Sequence, residues 1–134
     1  MVSFVLVKGE HVAERALLLE DNASIRELFK TVLMEERFVV LSADSVLKTN
    51  EVLLGEIVFS LALLDYELPD GEGPTVARKL RERFGKDIRI IGVSGRWGPD
   101  DDWPDPADRD LCDAVLKKPC TLKELRAAIR PRDS

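Results

Sequence analysis

The stretch LALLDYELPDGEG, residues 61–73, sets an aspartate directly behind four apolar residues, with a proline four positions further on and a glycine at 71. LALL has the length and apolar continuity of a strand buried on both faces. Burying a charge without partners is costly, so a carboxylate at the end of such a strand is there for chemistry rather than for the core. The expectation is that Asp65 closes the strand where its oxygens reach solvent, while Pro69 and Gly71 turn the chain away.

The rest of the chain alternates in the same way. ALLL (16–19) reads as a first strand, ending in Glu20 and Asp21. Ile25, Leu28, Phe29, Val32 and Leu33 then recur with helical spacing, behind Asn22 or Ser24 as cap. FVVL (38–41) reads as a second strand, 44–57 as a less regular helix and SLALL (60–64) as the third strand. GPTVARKLRERFG (73–85) is a helix with Pro74 in its first turn and Gly85 at its end. IRIIGV (88–93) and AVLK (114–117) are the fourth and fifth strands, and TLKELRAAIR (121–130) is a last helix opened by a Thr121–Glu124 capping box. Strand–helix alternation with near-continuous apolar strands predicts a parallel sheet covered on both faces, joined by right-handed crossovers.

Two segments break the alternation. Residues 1–14 read as an N-terminal extension: an additional edge strand, a dimer-forming arm or a remnant of expression. Residues 15–134 read as one domain. In RWGPDDDWPDPADRD (96–110) a fourth helix is due, but three prolines and many aspartates oppose it. The expectation there is an irregular acidic loop with at most a short turn of helix.

With 134 residues the chain can bury a core without staples. A net charge of −5 argues against nucleic-acid binding. No apolar run approaches the roughly 18 residues that a membrane span needs. Cys112 and Cys120 match no zinc or redox spacing and read as reduced thiols, which fits a cytoplasmic protein.

In open parallel sheets ligands bind beyond the carboxyl ends of the strands. Here those ends carry Glu20–Asp21, Asp65, Ser94 within GVSG, and Lys118 within KKP. Neighbouring strands stand about 4.8 Å apart, so three carboxylates converge. Two like charges 4 Å apart cost on the order of 4 kcal/mol at a surface-like dielectric. Such a cluster calls for a cation or for raised pKa values, and an all-oxygen set suits Mg2+ (or Mn2+). With Lys118 as a point charge and Ser94 as a hydroxyl donor, the set suits phosphoryl transfer to Asp65. Read singly, each signal is weaker: Glu20–Asp21 can be an acidic pair at a helix start, Ser94 a turn cap and Lys117–Lys118 a solvated pair.

In that order and spacing these residues resemble the receiver domain of two-component response regulators, over roughly residues 16–130. The resemblance implies a flavodoxin-like three-layer α/β sandwich with sheet order 2-1-3-4-5. It implies that Asp65 accepts a phosphoryl group from a sensor histidine kinase or histidine phosphotransfer protein. Glu20, Asp21, Asp65 and the backbone carbonyl of Glu67 would hold the metal, and Ser94 and Lys118 the phosphoryl oxygens. Gly95 would leave room for the donor, and a cis peptide would precede Pro119. The chain would act as a switch rather than an enzyme, as a monomer or weak homodimer, on a downstream protein or a fused output domain.

Val115 stands where the family commonly has an aromatic switch residue. That departure, with the Pro/Asp-rich loop, suggests a relay through residues 95–110 anchored by Trp97 or Trp103. Glu67 and Arg96, which in the family flank the attacking water, would shield the acyl phosphate by an ion pair. Two rival readings remain. One is a degenerate receiver kept as an interaction scaffold. The other is a hydrolase resembling haloacid dehalogenase-like phosphatases, whose Asp-x-Asp is not supplied by Glu20–Asp21–Asn22.

Overall fold

The computed structural model describes residues 6–7, 11–68, 71–96 and 105–131, with 6–7, 11–12 and 71–72 described by their backbone alone. Five parallel strands form the sheet: β1 (Glu14–Leu19), β2 (Phe38–Ala43), β3 (Leu61–Asp65), β4 (Arg89–Ser94) and β5 (Ala114–Lys117). Their spatial order is β2-β1-β3-β4-β5, as the resemblance implies, and all five are parallel, as the alternation predicts.

Alternate residues of each strand face opposite layers. Ala16, Leu18, Leu61, Leu63, Ile91 and Val93 pack against α1 (Ala23–Glu35) and α5 (Leu122–Ile129). Leu17, Leu19, Ala62, Leu64 and Ile90 pack against α2 (Val46–Leu53) and α3 (Gly73–Phe84). Each such fully buried aliphatic side chain contributes roughly 1.5–3 kcal/mol, which explains why the central strands are apolar on both sides.

The helix ends follow local chemistry. The Asn22 side chain accepts from the N–H of Ile25 and so caps α1. Ser45 caps α2, and Thr121 with Glu124 forms the reciprocal box at α5. α2 is shorter than the predicted 44–57: the N–H groups of Leu54 and Gly55 bond back three residues, to Glu51 and Val52, and the chain leaves the helix there. Gly85, at φ +59, ends α3 in the left-handed region that glycine adopts without strain.

Among the described residues between β4 and β5 there is one turn of helix, α4 (Pro106–Arg109), capped by Asp105. Residues 97–104, with Trp97 and Trp103, lie outside the described residues. Polar ties hold the described part of this connection. Arg81 donates to the carbonyl of Leu111 at 2.9 Å and to Asp113 at 2.7 Å, and Asp113 accepts the N–H of Ile90 at 2.7 Å. Arg78 pairs with Asp108. In the N-terminal extension, Leu6–Val7 pairs antiparallel with His11–Val12 as a ribbon of its own, separate from the main sheet. Cys112 and Cys120 are free thiols. Among the described residues no helix is long and apolar enough to cross a membrane.

Gly73 begins α3 directly beneath the end of β3. A Cβ there would lie 2.4 Å from the carbonyl oxygen of Asp65 and 2.7 Å from Cα and Cδ1 of Tyr66. Backbone cannot yield as a flexible side chain can, so Gly73→Ala should destabilise the protein by about 1–3 kcal/mol, as overpacking does. A urea melt checks this; an unchanged midpoint would show that the β3 end is not held against α3.

Candidate functional site

Strand register assembles the site. Leu19 pairs with Leu64, so residue 20 stands beside residue 65, one step beyond. Asp65 pairs with Val93, and Ser94 pairs with Lys117, so Ser94 and Lys118 follow on the same rim. The backbone continues the ladder just past the strands: Lys118 N–H bonds the Ser94 carbonyl at 2.9 Å and Tyr66 N–H bonds Val93 at 2.9 Å. The side chain of Arg26 fixes the acidic turn after β1 by donating to the carbonyl of Glu20 at 3.0 Å.

Glu20, Asp21 and Asp65 each bring a carboxylate oxygen within 4.8 Å of the others. The Lys118 ammonium lies 2.8 Å from Glu20 Oε1 and 3.2 Å from Asp65 Oδ2. The other Asp65 oxygen, Oδ1, accepts the N–H of Glu67 at 2.8 Å. Glu20 is 1% exposed, and its Oε2 accepts the N–H of Asn22 at 3.0 Å. Its Oε1 is buried without an aligned hydrogen bond; the contact with Lys118 is an ion pair only. One ammonium against three carboxylates leaves negative charge uncompensated. Three carboxylates grouped this closely, one of them with a buried oxygen that has an ion pair but no hydrogen bond, are the donor chemistry of a hard divalent cation. The residues present therefore fit such an ion.

Burial pushes the Asp65 carboxyl up to about 7, and the charge of Glu20 adds to this, while the Glu67 N–H and Lys118 pull the other way. For Asp21 burial also works upward, but hydrogen bonding with Glu20 and Asp65 outweighs it and leaves the group below the ordinary carboxylate range. Burial works to lower the Lys118 pKa, but Glu20 and Asp65 overcome it and hold the ammonium more firmly charged. The acidic partners are thus driven apart in acidity, as neighbouring carboxylates are.

One expectation is corrected. Asp65 does not reach solvent freely: it is 3% exposed, because Lys118 and the Glu67 N–H occupy its two oxygens. Asp21 is the exposed member of the cluster. Glu67 opens a two-residue strand that pairs with Gly71–Glu72, so the chain doubles back after Asp65; Pro69 of the expected turn lies outside the described residues. Glu67 is exposed, and its side chain lies against the end of β4, where Oε1 accepts from the Ser94 hydroxyl and from the N–H of Gly95, the latter at 2.7 Å. Arg96 is exposed, and its backbone N–H donates to Ser94 Oγ at 3.0 Å. Val115 is half-exposed on β5, and the peptide between Lys118 and Pro119 is cis.

Sequence reasoning missed Tyr66. It is fully buried on the face opposite Asp65, and its hydroxyl donates to the Asp108 carbonyl in α4 at 2.9 Å. The Cys112 thiol in turn donates to the Tyr66 hydroxyl at 3.0 Å. Burial pushes that thiol up to about 11. The signal was present in the pleat: a residue directly after Asp65 must face the other layer.

Residues 16–130 match the response regulator receiver domain family. The chain belongs to that family. The receiver is 33% identical to the phosphate regulon transcriptional regulatory protein PhoB of Escherichia coli over 121 residues, 89% of this chain and 51% of PhoB. It is 38% identical to the transcriptional regulatory protein AruR of Pseudomonas aeruginosa over 87 residues, 61% of this chain and 34% of AruR. It thus spans about half or less of the length of these relatives. Among solved structures, the response regulator TrrA of Thermotoga maritima in complex with Mg2+ and beryllofluoride superposes with a TM-score of 0.72 at 25% identity, covering 87% of this chain and 96% of TrrA. A CheY-like receiver from Methylobacillus flagellatus (TM-score 0.73, 24% identity, 88% and 97% covered) supports the fold.

The raised Asp65 pKa has a definite linkage sign. Its folded value lies above the unfolded 3.8, so its contribution to stability is complete below that pH and is lost as pH rises through about 7. Without divalent cation, the melting temperature of the wild type relative to Asp65→Asn should fall across that window and level off above it. A difference that does not change with pH would contradict the burial of a reluctant carboxylate.

Proposed function

We propose that this receiver accepts a phosphoryl group on Asp65 from a sensor histidine kinase or a histidine phosphotransfer protein, and that it works as a phosphorylation-dependent switch in the cytoplasm. The observation that supports this best is the contact of the Asp65 carboxylate with Lys118, inside a cluster whose Glu20 oxygen lacks a hydrogen bond. One Asp65 oxygen attacks phosphorus. The bond from phosphorus to the donor nitrogen breaks, and its electron pair stays with the leaving imidazole, which is protonated. Lys118 and the Ser94 hydroxyl hold the oxygens on which charge gathers.

Glu20, Asp21, Asp65 and the carbonyl of Glu67 would hold Mg2+ or Mn2+, which when bound supplies charge neutralisation for the phosphoryl oxygens. Phosphorylation adds about two negative charges, and the response of Ser94 and the β4–β5 connection alters a partner-binding face. The partner is a downstream protein or a fused output domain, in keeping with relatives about twice as long. The chemistry is self-phosphorylation and self-dephosphorylation, without a separate substrate. The second reading, a degenerate receiver serving as scaffold, is favoured by Val115 at the switch position and by the single turn of α4.

Acetyl phosphate with Mg2+, followed by intact mass, separates the readings. The wild type should gain one phosphoryl group, Asp65→Asn none, and a chelator should abolish the gain. Lys118→Ala should slow labelling by about 100-fold, the cost of removing a charge-stabilising donor. No gain by the wild type would support the scaffold instead.

A further inference from the structure

The Ser94 hydroxyl and the Gly95 N–H converge on a single oxygen, Glu67 Oε1. That oxygen lies 3.6 Å from where a Cβ on Gly95 would sit, so the carboxylate rests against the glycine. Ser94 is fully buried, and the N–H of Arg96 fixes its Oγ from the far side, which leaves the hydroxyl hydrogen to Glu67. Two donors aimed at one anionic oxygen, at the strand end beside Asp65, form a small anion hole that the chain itself fills. Glu67 N–H holds Asp65 Oδ1 at the same time. One residue thus engages the acceptor through its backbone and the neighbouring donors through its side chain.

We infer that the Glu67 carboxylate is a built-in competitor for the phosphoryl group: it occupies the Ser94 and Gly95 donors in the unphosphorylated protein and must leave them before a group on Asp65 can use them. The inference rests on the phosphoacceptor reading of Asp65. Once a phosphoryl group is in place, its charge repels the Glu67 carboxylate. Glu67 then turns outward at the base of the hairpin made by residues 67–68 and 71–72. Two charge-assisted hydrogen bonds are exchanged for two others, so Glu67 weakens net binding of any phosphoryl mimic without blocking it.

The test uses beryllofluoride with Mg2+, titrated calorimetrically into the full chain as wild type, Glu67→Gln and Glu67→Ala. Glu67→Ala should bind about tenfold more tightly than wild type, the equivalent of one charge-assisted hydrogen bond. Glu67→Gln should fall between, since its amide oxygen still accepts but carries no charge. The Gly95 amide proton should move upfield in free Glu67→Ala and return downfield when beryllofluoride binds. Structural damage weakens binding and cannot produce the tighter order. Equal or weaker binding by Glu67→Ala, with the wild type binding, overturns the inference alone. No binding by any of the three forms overturns the phosphoacceptor reading and the inference with it.

Discussion

The structure depends on one electrostatic constraint: three carboxylates share a rim with a single ammonium. Lys118 lies within 3.2 Å of both Glu20 and Asp65, yet it cannot balance them and Asp21 as well. At separations of a few ångströms each uncompensated pair costs several kcal/mol at an effective dielectric of about 20. The fold tolerates this because the apolar strands behind the cluster fix its members in place. Leu17, Leu18, Leu63 and Leu64 are all fully or almost fully buried, and the register they impose carries the carboxylates with them. Core stability is thus spent on holding like charges together, a strain that a divalent cation or a proton on Asp65 relieves.

The same rim is tied to its surroundings on both faces of β3. On one face Asp65 meets Lys118 and the acidic turn. On the other, Tyr66 reaches the Asp108 carbonyl in α4, and Gly73 lets the start of α3 lie against the Asp65–Tyr66 backbone. Displacement of the β3 end would therefore be felt at α4 through a hydrogen bond and a tight steric contact. With Val115 at the position where an aromatic is common, this Tyr66 contact is a direct physical link from the site to the β4–β5 connection.

Much of this was legible in the sequence. The strands announced themselves as apolar runs too continuous for a one-sided sheet, and LALLD placed its carboxylate at the carboxyl edge of the sheet. Asn22, Gly85 and the Thr121–Glu124 box marked helix ends because capping is local chemistry. α2 is shorter than 44–57 because the signal in LLGEI is Gly55: the helix stops at Leu53, Leu54 caps it and stays 86% exposed, and the glycine follows just past the end. The contact of Glu67 with Ser94 and Gly95 was illegible for another reason. That this glutamate meets the Ser94 hydroxyl depends on a donor contributed by a strand 27 residues away. The burial of Asp65 was likewise set by its neighbours, not by its position at a strand end.

The most direct test of the central claim is the chemical address of the phosphoryl group. After labelling with acetyl phosphate and Mg2+, borohydride reduction converts an aspartyl phosphate to homoserine, and peptide mass spectrometry locates it. The account predicts homoserine at position 65 and at no other aspartate. Homoserine elsewhere, or a label that resists borohydride, would contradict it.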